Sequence, residues 1–286
     1  MKQYTSLYFV GAGGIGMSAL VRYFLAKGYK VAGYDRTQSP LTTELKTEGL
    51  EIVYEESVES IPDYCRNPET TLVVYTPAIP ASHAGLVYFR EHSFRVVKRA
   101  ELLGLITQSS KGLCFAGTHG KTTTSSMAAH IFHESPIGCN AFLGGILRNY
   151  NSNLILSEQS PFTVIEADEY DRSFHWLHPY MAVVTATDPD HLDIYGTEEA
   201  YLESFARFTS LIQPGGCLIM KKGIKLVPSV KENVKIYTYS ARDGGDFHAG
   251  NIRIGDGTIV FDFVMPEGSV ADIELGVPVE INIENA

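Results

Sequence analysis

Short apolar runs and stretches with helical spacing alternate along most of this chain. Leu7 to Val10 is an apolar run that meets Gly11, and from Ser18 to Ala26 apolar residues recur at helical spacing until Lys27-Gly28 stops them. The pattern predicts strand, glycine turn, helix. Lys30 to Tyr34 reads as a second strand ending at Asp35, and Glu51 to Tyr54, Leu72 to Tyr75 and Phe94 to Val97 read as further strands between helical segments. Such alternation predicts a parallel sheet with crossover helices. Around Gln108 to Lys111 the chain turns polar, and a new apolar strand, Leu113 to Ala116, runs into a second glycine loop. The expected boundary lies there, giving domains 1–108 and 109–286.

Beyond the boundary the pattern repeats. It predicts a helix over Thr123 to Phe132, strands over Phe162 to Ile165 and Met181 to Thr185, a helix over Glu198 to Leu211 and a strand over Cys217 to Met220. From Val234 the runs shorten: Val234 to Tyr239, Thr258 to Val264 and Ala271 to Leu275 are separated by Gly and Asp turns, as in an antiparallel edge or a small appended sheet. The expected fold class is therefore α/β, a Rossmann-like parallel-sheet domain followed by a P-loop-type domain carrying a small added sheet. The last residues resemble a helix start, with Asn282 as an N-cap candidate.

Composition changes this picture only at the margins. With 286 residues and 44% hydrophobic content, two domains can each build a core. Lys and Arg total 23 against 33 Asp and Glu, for a formal net charge of -10. That balance argues against binding nucleic acid or an anionic membrane surface, so an anionic ligand must be held locally. Cys65, Cys114, Cys139 and Cys217 lie far apart, with neither zinc-ligand spacing nor disulfide-scaffold density, and read as reduced thiols in a cytoplasmic protein. The start of the chain lacks the apolar core of a secretory signal, and no apolar run is long enough to span a bilayer.

The chemistry concentrates in the glycine loops. Gly11, Ala12, Gly13, Gly14, Ile15 and Gly16 follow a strand and open a helix, where backbone N–H groups can face a diphosphate. Asp35, at the end of the next strand, lies where a ribose hydroxyl would be. Alone, the loop favours NAD, with a structural turn or another nucleotide diphosphate as alternatives. A full dinucleotide fold needs a second half of the same kind, and here the chain turns to different chemistry. A nucleotide-sugar diphosphate fits better.

The second loop, Gly117, Thr118, His119, Gly120, Lys121, Thr122, Thr123 and Thr124, lies between a strand and a helix, the context of a phosphate-cradling loop. Lys121 would neutralise phosphate oxygens and the Thr122 hydroxyl would ligate Mg²⁺. Phe115 stands where the strict pattern has glycine, so the loop is a variant. Glu166-Ala167-Asp168-Glu169-Tyr170-Asp171 begins where an apolar strand ends, and Asp188-Pro189-Asp190-His191-Leu192-Asp193 follows the next one. Carboxylates so dense usually form a solvated loop, but the carboxyl end of a buried strand is where open α/β sheets bind ligands. Thr122, Glu166 and His191 are the candidate Mg²⁺ ligands, shared with ATP phosphates.

GAGGIGM, AGTHGKTTT, EADEYDRSF and DHLDIYG, in this order and spacing, resemble the Mur ligases across essentially the whole chain. The resemblance implies an ATP-dependent ligase of peptidoglycan precursor synthesis, in which a carboxylate receives the γ-phosphate and an amine attacks the acyl phosphate. The implied substrates are UDP-N-acetylmuramate, L-alanine and ATP. It also implies Lys121 on the phosphates, Thr122 and Glu166 on one Mg²⁺, and His191 on a second. His119, Gly144 and Gly145 would lie near the muramoyl portion, the loop from Gly11 to Gly16 with Asp35 would receive UDP, and Asn282 and Asn285 match paired asparagines at the nucleotide site. Arg99, Ser82 and His83 are weaker ligand candidates, and Trp176 reads as core.

Departures from the family pattern shape the expectation. Members carry a further C-terminal domain that binds the incoming amino acid, so a chain cut where this sequence stops is expected to bind substrate without ligating it. Ala186 stands where relatives commonly have Asn, and Ala206-Arg207 offers no lysine for a carbamate. A ligase that joins UDP-N-acetylmuramate to a preformed tripeptide and a non-catalytic nucleotide-sugar binding module are the alternatives. Monomer and homodimer stay open.

Overall fold

The computed structural model describes residues 3–242, 244–255, 257–276 and 279–286. Two compact units emerge, Met1–Ile106 with Asn140–Glu158, and Thr107–Cys139 with Gln159–Ala286. The first begins with β1 (Ser6–Val10), α1 (Ile15–Ala26), β2 (Lys30–Tyr34), α2 (Pro40–Thr47) and β3 (Glu51–Val53). It continues through β4 (Thr71–Tyr75), α3 (Ala84–Glu91), β5 (Arg95–Lys98) and α4 (Arg99–Thr107). The sheet order is β3-β2-β1-β4-β5, all parallel. All five residues of β1 are buried. Helices on both faces make burial two-sided, hence an unbroken apolar run rather than alternation. Because β2 and β4 flank β1 on opposite sides, the chain direction switches at β1, and a crevice opens at the carboxyl ends of β1 and β4.

The hairpin of β7 (Asn140–Leu147) and β8 (Ser152–Ile155) also belongs to this first unit, although β6 (Lys111–Ala116) and α5 (Lys121–Glu134) of the second unit precede it in sequence. Phe142 packs its ring 5.1 Å from Tyr23 of α1. Asn153, only 1% exposed, donates through Nδ2 to the Ile15 carbonyl in the first turn of α1. The hairpin thus braces the helix that the glycine loop opens. The expected boundary after residue 108 assigns this segment to the second domain, and the glycine pair Gly144-Gly145 masks its strand character in the sequence.

The second unit holds β6, β9 (Phe162–Glu166), β10 (Pro179–Val184), β11 (Cys217–Lys221) and β12 (Lys235–Ser240), then β13 (Phe247–Gly255), β14 (Thr258–Met265) and β15 (Gly268–Leu275). Its helices after α5 are α6 (Leu192–Tyr195), α7 (Glu198–Ser210) and α8 (Ile281–Asn285). Central β6 lies between β9 and β10, parallel to both, which makes its carboxyl end the switch point of this sheet. α7 is capped by the Thr197 side chain on the Ala200 N–H and buries Tyr201, Phe205 and Phe208.

Three local expectations change. Val234 to Tyr239 is not an antiparallel edge: β12 pairs parallel with β11, and only β13, β14 and β15 form an antiparallel meander, continuous with the main sheet. Glu280, not Asn282, precedes the last helix, and Asn282 lies inside it. Trp176 is 47% exposed and is not core; Phe174 fills that role, stacked 4.9 Å from Phe208.

Candidate functional site

In the first unit the chain leaves β1 with Gly11 and Ala12 both donating their N–H groups to the Tyr34 carbonyl. Gly14 is the N-cap of α1 and supplies no side-chain cap. The first-turn N–H groups therefore point outward at the positive end of the helix dipole, the arrangement that binds phosphate. Side chains at two glycines would block it. A Cβ on Gly13 would come within 2.9 Å of Asp35 Oδ2, and one on Gly16 would run into the Arg99 guanidinium.

Asp35 does more than wait for a ribose. Its Oδ2 accepts the Gly13 N–H at 2.7 Å and its Oδ1 the Thr37 N–H at 3.2 Å. A carboxylate bonded to the loop amide takes that amide out of the anion-binding set and fixes the turn. Arg99, at the start of α4, lies over Gly16 and so joins the loop. His83 is buried at 5% exposure, caps α3 by accepting the Leu86 N–H at Nδ1, and packs 4.5 Å from the Tyr34 ring. Burial pushes its ring below the usual histidine range. Its cap role accounts for its position. Gly144 is exposed and Gly145 half-buried in β7 of this unit.

In the second unit the loop after β6 is held from below by Thr185, which donates its hydroxyl to the His119 and Ala116 carbonyls. Ala186, where the sequence departs from the family pattern, is buried and accepts the Thr118 N–H at its carbonyl at 3.0 Å. Gly117 at φ +140° and Gly120 at φ +86° adopt backbone conformations that a Cβ disfavours, and a Cβ on Gly117 would meet Ala186 N at 2.8 Å. Gly120 then serves as N-cap of α5, so Lys121, Thr122 and Thr123 present the first helical N–H groups to the space above the loop. Thr118 contacts the Asp188 carbonyl at 2.7 Å and the Tyr201 hydroxyl at 2.9 Å.

The carboxylates divide between two partners. Thr122 Oγ1 donates to Glu166 Oε1 at 2.9 Å. Lys121 Nζ donates to the Gly117 carbonyl at 2.6 Å and lies 2.9 Å from both oxygens of Glu169. Glu169 is only 2% exposed; burial raises its carboxyl above the ordinary range while the Lys121 ammonium draws it back. His191, in a left-handed backbone conformation, brings Nε2 within 3.9 Å of Glu169 and 3.7 Å of Asp190 and meets the Tyr170 ring edge-on. Asp171 and Arg172 are also left-handed, three non-glycine residues in a strained region at one sheet end. His119 is exposed on the loop.

Among the sequence candidates, Lys121, Thr122, Glu166 and His191 thus gather at the carboxyl ends of β6, β9 and β10. Asn285 stands at the back of the loop, accepting from Thr124 at 3.4 Å and donating to Asn282 at 3.2 Å. Glu169 is not among the candidates that the sequence marks out. One acid among four in six residues carries no local mark; only its burial singles it out. Among the described residues no three His, Cys, Asp or Glu side chains converge as a metal cage. The hydroxyl and carboxylate of Thr122 and Glu166 suit Mg²⁺ nonetheless, because that ion keeps several waters and binds through one or two protein oxygens plus phosphates. An apolar cavity of about 290 Å³ lies along α5, lined by Met127, Ile131, Phe261 and Ile283 and reaching Asn285.

Comparisons with known proteins agree with this layout. Residues 115–286 match the Mur ligase middle domain and residues 6–111 the Mur ligase family catalytic domain. The chain is 66% identical over 285 residues to a UDP-N-acetylmuramate–L-alanine ligase of Parabacteroides distasonis, covering 100% of this chain and 62% of that protein. It is 46% identical to the ligase of the same name from Flavobacterium johnsoniae, again covering 100% and 61%. The chain therefore spans about 62% of the length of such relatives. In structure it resembles the UDP-N-acetylmuramate-alanine ligase of Thermotoga maritima, with a TM-score of 0.80, 24% identity, and coverage of 98% of this chain and 62% of that one. It also resembles the UDP-N-acetylmuramate:L-alanyl-gamma-D-glutamyl-meso-diaminopimelate ligase of Neisseria meningitides, with a TM-score of 0.84, 20% identity, and coverage of 99% and 90%. Two α/β units with a glycine loop at each switch point, and both family domains matched in order along the sequence, place this chain in the Mur ligase family.

Proposed function

We propose that this chain carries the UDP-sugar and ATP sites of a ligase that joins the carboxylate of UDP-N-acetylmuramate to the amine of L-alanine. The observation that carries the reading is the second unit's loop, where Lys121, Thr122 and Glu166 stand at one switch point with Thr122 and Glu166 hydrogen-bonded at 2.9 Å. The 66% identity to a relative named for L-alanine favours this reading over tripeptide ligation.

Transfer of a phosphoryl group to a carboxylate brings two anions together, so alignment and charge neutralisation dominate the barrier. Lys121 supplies a fixed positive charge and the α5 N-terminus its N–H groups. Thr122 and Glu166 would hold Mg²⁺, which when bound offsets the charge of the phosphate oxygens. His191 lies one loop away, positioned for a second cation or for the incoming carboxylate. In the first unit, the α1 N-terminus and Arg99 receive the diphosphate, and Asp35 keeps the loop in shape. The protein works in the cytoplasm, where its nucleotide substrates are.

Thermal unfolding tests the substrate assignment. UDP-N-acetylmuramate should raise the midpoint in a concentration-dependent way, and NADH should leave it unchanged. Stabilisation by NADH instead would return the first unit to the dinucleotide reading. Glu166→Gln should remove the dependence of ATP binding on Mg²⁺ while ATP alone still binds.

A further inference from the structure

An ammonium has three N–H donors, and protein oxygens surround that of Lys121. Gly117 O lies at 2.6 Å, Thr118 O at 3.5 Å, and the Glu169 carboxylate straddles the nitrogen with both oxygens at 2.9 Å. The side chains of Lys121 and Glu169 are 15% and 2% exposed, so water screens the pair little. Glu169 is also anchored. Its carbonyl accepts from the Tyr195 hydroxyl and from the Arg172 N–H, and the two left-handed residues that follow lock the turn. The turn thus fixes the backbone from which the carboxylate reaches Lys121.

An arriving phosphate therefore meets an ammonium already paired with another anion. The loop carbonyls can stay bonded to Lys121 while phosphate binds, but the carboxylate and a phosphate oxygen compete for the same donor. We propose that Glu169 is a positioning residue that latches Lys121 and sets the affinity of the loop for polyphosphates, giving up the ammonium only to a ligand with more charge at that point than one carboxylate. The proposal rests on the reading of residues 117–124 as a triphosphate cradle. When the ammonium is drawn away, a buried charge must find another partner, and His191 Nε2, 3.9 Å from Oε1, stands on hand. Occupancy of the loop is thereby passed to the 188–193 segment. The latch also filters ligands: a triphosphate outcompetes it, while a monophosphate that fails to reach Lys121 gains nothing from its release.

Calorimetric titration of this chain with ATP and with AMP tests the latch. Glu169→Gln keeps the side-chain shape and removes the competing charge; ATP should bind about tenfold tighter than to the unsubstituted chain, and AMP with unchanged affinity. In a Lys121→Ala background the gain from Glu169→Gln should vanish. A gain that persists there would mean general charge repulsion and overturn the latch, as would equal or weaker ATP binding by Glu169→Gln. If that variant does not fold, Glu169→Asp, which retains the charge but draws it back by one methylene, should bind ATP about threefold tighter, and weaker binding would overturn the proposal. ATP binding that ignores Lys121→Ala in the unsubstituted chain would fail the cradle reading itself, a result separable from failure of the latch.

Discussion

The two glycine loops share a plan and differ in where their acids go. Each follows a buried central strand at a switch point and opens a helix without a side-chain cap. In the first, the acid at the end of the neighbouring strand bonds the loop's own backbone, Asp35 to Gly13. In the second, the acids at and just past the end of the neighbouring strand bond the loop's side chains, Glu166 to Thr122 and Glu169 to Lys121. On the proposed reading the first loop is a preformed seat whose selectivity comes from shape and backbone donors. The second is a charged loop whose side chains are paired with carboxylates, and on the proposed reading those pairs change when phosphate arrives. Binding of a diphosphate that is not cleaved needs only the former, whereas moving a phosphoryl group needs the latter.

The comparison predicts unequal responses to substitution. The largest effect should come from Gly117→Ala, where positive φ and the contact with Ala186 N leave no room for a methyl group. It should cost about 3 kcal/mol in denaturant unfolding and abolish ATP binding. Asp35→Ala should weaken UDP-N-acetylmuramate binding by about tenfold, because the Gly13 amide loses its partner and the loop its shape, with ATP affinity unchanged by calorimetry. Thr197→Ala, which removes only the α7 cap, should lower stability by about 1 kcal/mol and leave both affinities intact.

The smallest effect is a pH slope. Burial lowers the pKa of His83 in the first unit and of His175 in the second from the ordinary 6.5. A lowered folded value means that the unfolded chain binds more protons, so stability is full above the unfolded value and falls as pH drops through it. Thermal midpoints should decline as pH falls below about 6.5, and His83→Asn, which keeps a cap acceptor, should flatten that decline.

Local marks make the parallel strands and both loops legible: the strands are short apolar runs, and each loop is a cluster of glycines directly after one of them. Lys30 to Tyr34 was placed to the residue. What they miss depends on partners distant in the chain. The β7–β8 hairpin is identified by Asn153 meeting Ile15 across more than a hundred residues. Strand β13 mixes glycine, asparagine and arginine, and its pairing to β14 rather than its composition makes it a strand. Asp35 is legible as the acid that follows β2, but its bond to Gly13 is not. Glu169 differs from its acidic neighbours only in being enclosed, and enclosure is a property of the folded sheet end.

The central claim is that two nucleotide ligands occupy separate loops, one governed by backbone and one by Lys121. Calorimetric titration of Lys121→Ala with Mg-ATP and with UDP-N-acetylmuramate tests it most directly. The account predicts Mg-ATP binding weakened at least tenfold but still measurable, with UDP-N-acetylmuramate affinity held within about twofold, since distant sites are additive. Parallel loss of both ligands, or unchanged Mg-ATP affinity, would contradict it.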